Sequence, residues 1–321
     1  MKKFRTWAAV VLWGVLVAVV GAVALANVSP DDLAGESAWR AWQFRLLVAQ
    51  FHVACCVLVG GVVALALRRW WLAATAGVVA IVMGALVQVG PSAATPSGPT
   101  LRVVSANVYF LNPRAERAAA DLANLDADLL LLQEWNPLHI EPFAAAFGES
   151  HPYRLSHPAR DPNGFAIYSK VPFRLEPTDE SGLEQKVRRV RLQVNFDEQD
   201  WIVYNVHPSS PGSTAGVHAN RIQSKALAEM IAGETLPTVV AGDFNHTPNT
   251  WNADAIRASG VTGRGSAGTW PFNRGLRRIF WPKFRIDDVL VSEDLGVWPL
   301  GTFNVAGADH HAVLAEVGRA E

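Results

Sequence analysis

The sequence predicts a layered α/β domain behind an apolar N-terminal region, and three observations carry that prediction. Strand-like and helix-like patterns alternate from Leu101 onward, the first ninety residues are far more apolar than the rest, and the strand-like runs end in polar side chains. The sharpest ending is Gly242-Asp243-Phe244-Asn245, which follows Thr238-Val239-Val240-Ala241 and precedes the turn-forming Thr247-Pro248-Asn249. A β-branched run that closes on an acid and an amide reads as a buried strand delivering polar groups to a sheet rim. Other stretches end the same way: Val103-Val104-Ser105-Ala106-Asn107, Leu129 to Leu132 followed by Gln133-Glu134, Ile202-Val203-Tyr204-Asn205-Val206-His207, and finally Ile286-Asp287 and Ala308-Asp309-His310. Endings so widely spaced along the chain make sense when the strands converge on one site.

The first ninety residues carry few charges: Lys2, Lys3, Arg5, Asp31, Asp32, Glu36, Arg40, Arg45, Arg68 and Arg69. Between them lie three uncharged runs, 7–26, 46–67 and 70–89, each long enough for a helix to cross a hydrocarbon core. Residues 1–89 are therefore expected to form a membrane region with three transmembrane helices and a bilayer as partner. The positive flanks at Lys2-Lys3 and Arg68-Arg69 place those ends in the cytoplasm and everything after Val89 outside an inner or plasma membrane. Ala24-Leu25-Ala26 has the small-x-small form of a signal-peptide cleavage site, although the run is long for a signal core. Cleavage there leaves the C-terminal part on the same side. In the second run His52 reads as an interhelical contact, and the adjacent Cys55 and Cys56 read as small apolar packing residues rather than a metal site or disulfide. Trp39, Trp42 and Phe44 read as interfacial anchors.

Residues 90–100, rich in Pro, Ser, Gly and Ala, are expected to be a flexible linker, and 101–321 a catalytic domain. Strands are expected over 101–109, 128–134, 165–169, 187–196, 201–206, 238–241, 286–292 and 312–317. Helices are expected over 114–125, opened by Asn112-Pro113, and over 137–147, 219–232 and 250–258. Mixed sheets covered by helices follow, with no evident internal repeat.

This domain lacks cysteine, a Cys/His metal spacing, a Gly-Lys-Ser/Thr phosphate loop and a Gly-x-Ser-x-Gly elbow, which removes several hydrolase and kinase classes. What remains is a set of hard oxygen donors with histidine. Glu134, Asp243 and Asp309 with the amides of Asn107 and Asn245 suit Mg²⁺, or Mn²⁺. A hard divalent ion, a carboxylate base and a histidine beside a second carboxylate fit phosphoester hydrolysis. The net charge of −1 conceals a mildly acidic C-terminal part, holding 21 of the 28 Lys/Arg but 26 of the 29 Asp/Glu, which argues against tight duplex binding.

The order Asn107, Gln133-Glu134, His207, Gly242-Asp243-Phe244-Asn245, Arg285-Ile286-Asp287, Asp309-His310 resembles the endonuclease/exonuclease/phosphatase superfamily with the DNase I-like fold, over essentially all of Leu101 to the C-terminus. The resemblance implies a four-layer α-β-β-α sandwich with its site at one end. It implies Glu134 as main Mg²⁺ ligand, with Asn107 and Asp309 near the metal directly or through water. It further implies Asp243 as the group that positions or deprotonates water, Asn245 as a hydrogen-bond partner of phosphate or nucleophile, His310 oriented by Asp287 as transition-state stabiliser, and His207 at the phosphate or leaving oxygen. Asn163 to Lys170 is similar to the family's Gly-x-Ala-Ile-x-Ser strand. Matching the family's Ser-Asp-His ending gives His310 and leaves His311 outside the site. Asp288 departs from the pattern and adds a second negative charge beside Asp287. Asn205 reads as a strand-capping amide, and His139, His151, His157, His218 and His246 as surface or loop residues.

The substrate stays open. A lipid headgroup or other envelope-associated phosphodiester, extracytoplasmic DNA, and a catalytically silent binding module are the alternatives, the last disfavoured because no polar strand ending is lost. The stretch Trp270 to Arg285 mixes basic and aromatic side chains and suits stacking on a nucleic-acid strand, docking on anionic headgroups, or a solvated loop.

Overall fold

The computed structural model describes residues 38–66, 68, 70–85, 92–175, 188–265, 267–271 and 283–321, with a few isolated positions before residue 38. The chain divides into two compact units.

The first unit contains the helices α1 (Ala38–Ala66) and α2 (Trp70–Ala85). They pack through small residues, Ala54 and Val57 against Ala76, and Ala64 against Leu72, while Val59, Val62, Val78 and Ile81 stay exposed. Cys55 and Cys56 are exposed as well, because the contact runs through their neighbours Ala54 and Val57. Among the described residues no single helix is long and apolar enough to cross a membrane; the bent pair Ala41–Ala49 and Val53–Ala66, at 62°, meets the criterion together. Most of the run 7–26 lies outside the described residues.

The second unit holds two six-stranded sheets. β1 (Pro96–Asn107), β2 (Leu129–Gln133), β3 (Tyr153–His157), β4 (Phe165–Ser169), β11 (Leu295–Asn304) and β12 (His311–Ala320) form the first, in the order β11-β12-β1-β2-β4-β3. β5 (Phe173–Leu175), β6 (Arg189–Phe196), β7 (Gln199–Val206), β8 (Thr238–Asp243), β9 (Val261–Thr262) and β10 (Asp287–Ser292) form the second, in the order β5-β6-β7-β8-β10-β9. Strand alternation builds the layers. Val103, Leu129, Leu131, Trp201, Val203, Val239 and Val289 face one another between the sheets. Their neighbours Val104, Leu130 and Leu132 bury the first sheet's outer face against α3 (Ala115–Ala123) and α4 (Ile140–Phe147). Ile202, Tyr204, Val206 and Val240 do the same for the second sheet against α5 (Thr214–Ala232) and α6 (Trp251–Ala258). The result is four layers, helix-sheet-sheet-helix.

Each sheet has one parallel pair, β1 with β2 and β7 with β8, flanked by antiparallel neighbours. The strand pattern thus repeats where the sequence shows no repeat. Sequence patterning missed β3, β5, β9 and β11. β3 and β5 are short and largely exposed, β9 spans two residues, and β11 carries Pro299 and Gly301 at a register shift. The stretch read as a linker also enters the sheet: Ala93 is in the inter-sheet core and Pro96 pairs with Ala320. At that end β1 pairs with β12 alone, and a register shift between Ser97 and Leu101 absorbs the breaker-rich segment.

Gly242 lets β8 lie against β7, since a Cβ there stands 1.9 Å from the Val206 carbonyl oxygen. Gly242→Ala should lower the unfolding free energy by about 3 kcal/mol; an unchanged urea midpoint contradicts this. Three histidines read as surface residues are instead buried: His139, His151 and His246. His139 closes a capping box on the 3-10 turn Pro137–His139, its Nδ1 accepting from the Asn136 N–H at 3.0 Å. Burial takes the His139 pKa down to about 4. The neutral ring fits the fold and the charged ring does not, so stability is complete above the unfolded value near 6.5 and falls as pH drops toward 4. Thermal denaturation at pH 7 and pH 5 should show a loss of about 2 kcal/mol from this residue. His139→Gln keeps a capping-box acceptor without a titrating proton and should remove that loss; an equal loss in the variant refutes the assignment.

Candidate active site

The parity that builds the inter-sheet core also builds the site. Asn107 continues the inward series of Val103 and Ser105, Gln133 that of Leu129 and Leu131, and His207 that of Trp201, Val203 and Asn205. Asp243 follows Val239 and Ala241, and Asp287 precedes Val289 and Val291. Polar side chains at the ends of these strands therefore meet where the apolar layer stops. Register completes the arrangement, Asn107 opposite Gln133 and Asp287 opposite Asp243. Glu134 leaves β2 with a left-handed φ of 56°, and Asn245 leaves β8 with 53°. Such conformations are strained for side-chain-bearing residues and concentrate at functional sites.

The contacts are close. Asn107 Nδ2 donates to Glu134 Oε1 at 3.0 Å and to Asp243 Oδ2 at 3.1 Å. Its Oδ1 accepts from the Tyr109 N–H, which turns the nitrogen toward the carboxylates; any part it plays at a cation runs through water or through these acids. The Phe110 N–H donates to Glu134 Oε2. His207 Nε2 stands 3.5 Å from Asp243 Oδ2 and 3.9 Å from Glu134 Oε1. The Asn245 N–H donates to Asp243 Oδ1 at 2.8 Å, and Asn245 Nδ2 to the Pro208 carbonyl at 3.0 Å. Asp287 Oδ2 bonds His310 Nδ1 at 2.9 Å, leaving His310 Nε2 3.7 Å from Asp243 Oδ2.

Burial raises the Glu134 pKa, and with the Asp287 charge it lifts Asp243 to about 7 against the opposing charge of His310. Burial alone favours neutral His310, but Asp287 and Asp243 outweigh it and take the imidazole up to about 10. Burial, with Arg188 and His310 nearby, holds His207 well below its usual value and therefore neutral. Asp309, half-buried beside His310, adds its charge to the field at Glu134. Among the described residues His310 and Arg188 bring positive charge to Glu134 and Asp243, and Asp287 Oδ1 is buried with no partner among the described residues. A hard divalent cation fits this donor set. Asp243, Asp287 and His310 bring ligand atoms within 4.8 Å of one another, but the Asp287–His310 bond already occupies two of the groups.

His311 opens β12 with its N–H on the Thr269 carbonyl, so it is His310 that meets Asp287. Asp288 lies on the opposite face of β10, where it pairs with Arg285, although the charge of Asp287 still acts on it. Asn205 is no strand cap, since its side chain is buried between the sheets. Arg188 was not singled out from sequence because it sits in a run of basic residues. One residue before β6, its carbonyl accepts the His207 N–H at 2.9 Å, and its charge acts on Glu134 and Asp243. Of the basic-aromatic stretch, residues 272–282 lie outside the described residues; Trp270 and Phe284 bond each other, and the Trp270 ring is 6.4 Å from that of His310.

Residues 104–310 match the model of the endonuclease/exonuclease/phosphatase family. No curated protein sequence matches the chain. Similar solved structures include an endonuclease/exonuclease/phosphatase from Beutenbergia cavernae, 20% identical, with a TM-score of 0.54 over 70% of this chain and 72% of that one. Truncated Caenorhabditis elegans TDP2 is 18% identical, with a TM-score of 0.51 over 68% and 98%. A Staphylococcus aureus beta toxin mutant with bound magnesium ions is 16% identical, with a TM-score of 0.50 over 70% and 100%.

Proposed function

The chain belongs to the endonuclease/exonuclease/phosphatase family and is a phosphoester hydrolase, and from that premise we propose a membrane-anchored, Mg²⁺-dependent phosphodiesterase acting on a lipid headgroup or another envelope-associated phosphodiester. The observation that carries the reaction is the meeting of Glu134, Asp243 and the Asp287–His310 pair at one end of the inter-sheet layer. Glu134 would hold the ion, with Asp309 beside it and Asn107 fixing the carboxylate. A Mg²⁺ held there would supply Lewis acidity and positive charge to a phosphoryl oxygen; magnesium ions are present in the beta toxin structure. Asp243, with a pKa near 7, orients water and accepts its proton as the oxygen bonds to phosphorus and the P–O bond to the leaving group breaks, the leaving oxygen taking its proton from solvent. Asn245 holds Asp243 through its N–H. His310 stays protonated, and Asp287 aims its Nε2–H into the site to stabilise the transition-state oxygens. Neutral His207 approaches the phosphate or the leaving oxygen, and Arg188 binds a non-bridging oxygen.

Supporting the anchor are the apolar α1 and α2 and the short spacer, Gly90, Pro91 and Ser92, between the end of the last apolar run and Ala93 in the core. The positive flanks favour an extracytoplasmic domain; protease added outside right-side-out membranes should then digest it, and protection contradicts that orientation. The alternative reading is a nuclease acting on extracytoplasmic DNA.

Full-length protein in nanodiscs, assayed in Mg²⁺ on phospholipid vesicles and on supercoiled plasmid, separates these readings. Headgroup release without nicking supports the lipid reading, and nicking without headgroup release replaces it with the nuclease. Glu134→Gln and Asp243→Asn should each lower the rate by about 10³-fold or more; wild-type rates in both variants sink the site assignment. Arg188→Ala should raise KM about tenfold with a smaller change in kcat, partly restored by Arg188→Lys. An unchanged KM removes Arg188 from substrate binding.

A further inference from the structure

Two amides meet across the inter-sheet layer immediately behind the site. Gln133 and Asn205, both fully buried, belong to opposite sheets, Gln133 ending β2 and Asn205 lying next to last in β7. Gln133 Nε2 donates to Asn205 Oδ1 at 2.7 Å and reaches Ser105 Oγ at 3.2 Å and the Leu131 carbonyl at 3.0 Å. Asn205 Nδ2 donates back across the gap to the Leu132 carbonyl at 3.1 Å. The layer around them is apolar: Leu129, Leu131, Phe165, Trp201, Val203 and Ala241.

Packing alone does not account for the pair. Gln133 Oε1 is buried with no partner among the described residues, and an unsatisfied buried carbonyl destabilises a fold that two aliphatic side chains would fill without loss. Its place in the chain supplies a reason. Both ladders of β2 end at Gln133, opposite Asn107 on one side and Phe165 on the other, and the next residue is the left-handed Glu134. On the second sheet Asn205 lies opposite Ala241, two residues before His207 and in register two residues short of Asp243.

We propose that Gln133 and Asn205 form a positioning brace, holding the end of β2 at a fixed separation from β7 so that Glu134 stands at its working distance from His207 and Asp243. Asn107 links the same two sheets at the mouth of the site through its bond to Asp243, and the brace links them one layer deeper. The inference rests on the reading that Glu134 holds the divalent ion. Neither amide reaches the reacting atoms; both act through Glu134.

The test is Mg²⁺ binding by isothermal titration calorimetry on the full-length protein, with metal-free thermal denaturation alongside. The single variants Gln133→Asn and Asn205→Gln alter the span of the bridge, and the swap variant carrying both restores its total length. Each single should weaken Mg²⁺ binding about tenfold or more, as outer partners of metal ligands commonly do. The swap should recover most of that affinity. A pair of apolar replacements, Gln133→Met with Asn205→Leu, should keep the metal-free melting temperature near wild type while still losing Mg²⁺ affinity, which separates positioning from packing. Singles that bind Mg²⁺ like wild type, a swap no better than the singles, or an apolar pair with wild-type affinity each overturn the brace. A wild-type protein that binds no Mg²⁺ fails at the metal site itself and overturns both readings.

Discussion

Asp243 is only 1% exposed and Asp287 is wholly buried, at the end of a layer otherwise filled with leucine, valine and tryptophan. A carboxylate in such a place must be neutralised, hydrogen-bonded or paired, and the arrangement around these two follows from that requirement. Asp287 is answered by His310, Asp243 by Asn107 and the Asn245 N–H, and Glu134 by Asn107 and the Phe110 N–H. The answer is incomplete in charge. Acids raised by burial beside His310 and Arg188 leave a donor set that a divalent cation fits, and the proposed chemistry rests on that deficit.

The two sheets solve the problem of presentation in the same way. In each, a parallel pair brings two strand ends to one edge, Asn107 beside Gln133 in the first and Val206 beside Gly242 in the second. The chain then turns out of the strand through a left-handed residue, Glu134 after β2 and Asn245 after β8. Facing the sheets across one apolar layer places the two sets of polar ends against each other. Gly242, where a Cβ would strike β7, is what lets the second pair close.

Much of this was legible in the sequence, and the reason is periodicity. Strands buried on both faces read as continuous apolar runs, and a polar residue at the end of such a run stands out, so Asn107, Glu134, His207, Asp243, Asp287 and His310 were found from pattern and motif order. Elements without that contrast were lost: β3 and β5 at the edges, and β11 with its glycine and proline. Residues whose importance comes from a partner far along the chain were lost too. Asn205 acquires meaning only through Gln133, 72 positions away, and Arg188 only through the strand pairing that sets it against His207. His139 fails for a different reason: its partners Asn136 and Trp135 are local, and the Asn136-Pro137-Leu138-His139 capping box went unread because its closing residue is a histidine rather than the usual Glu or Gln.

The measurement that bears most directly on the metal-centred site is anomalous diffraction from crystals soaked in Mn²⁺. A peak within coordination distance of the Glu134 carboxylate, absent from crystals of Glu134→Gln, is the expected result. A peak that instead bridges Asp287 and His310, or one that survives unchanged in Glu134→Gln, contradicts the assignment of Glu134 as the residue that holds the ion.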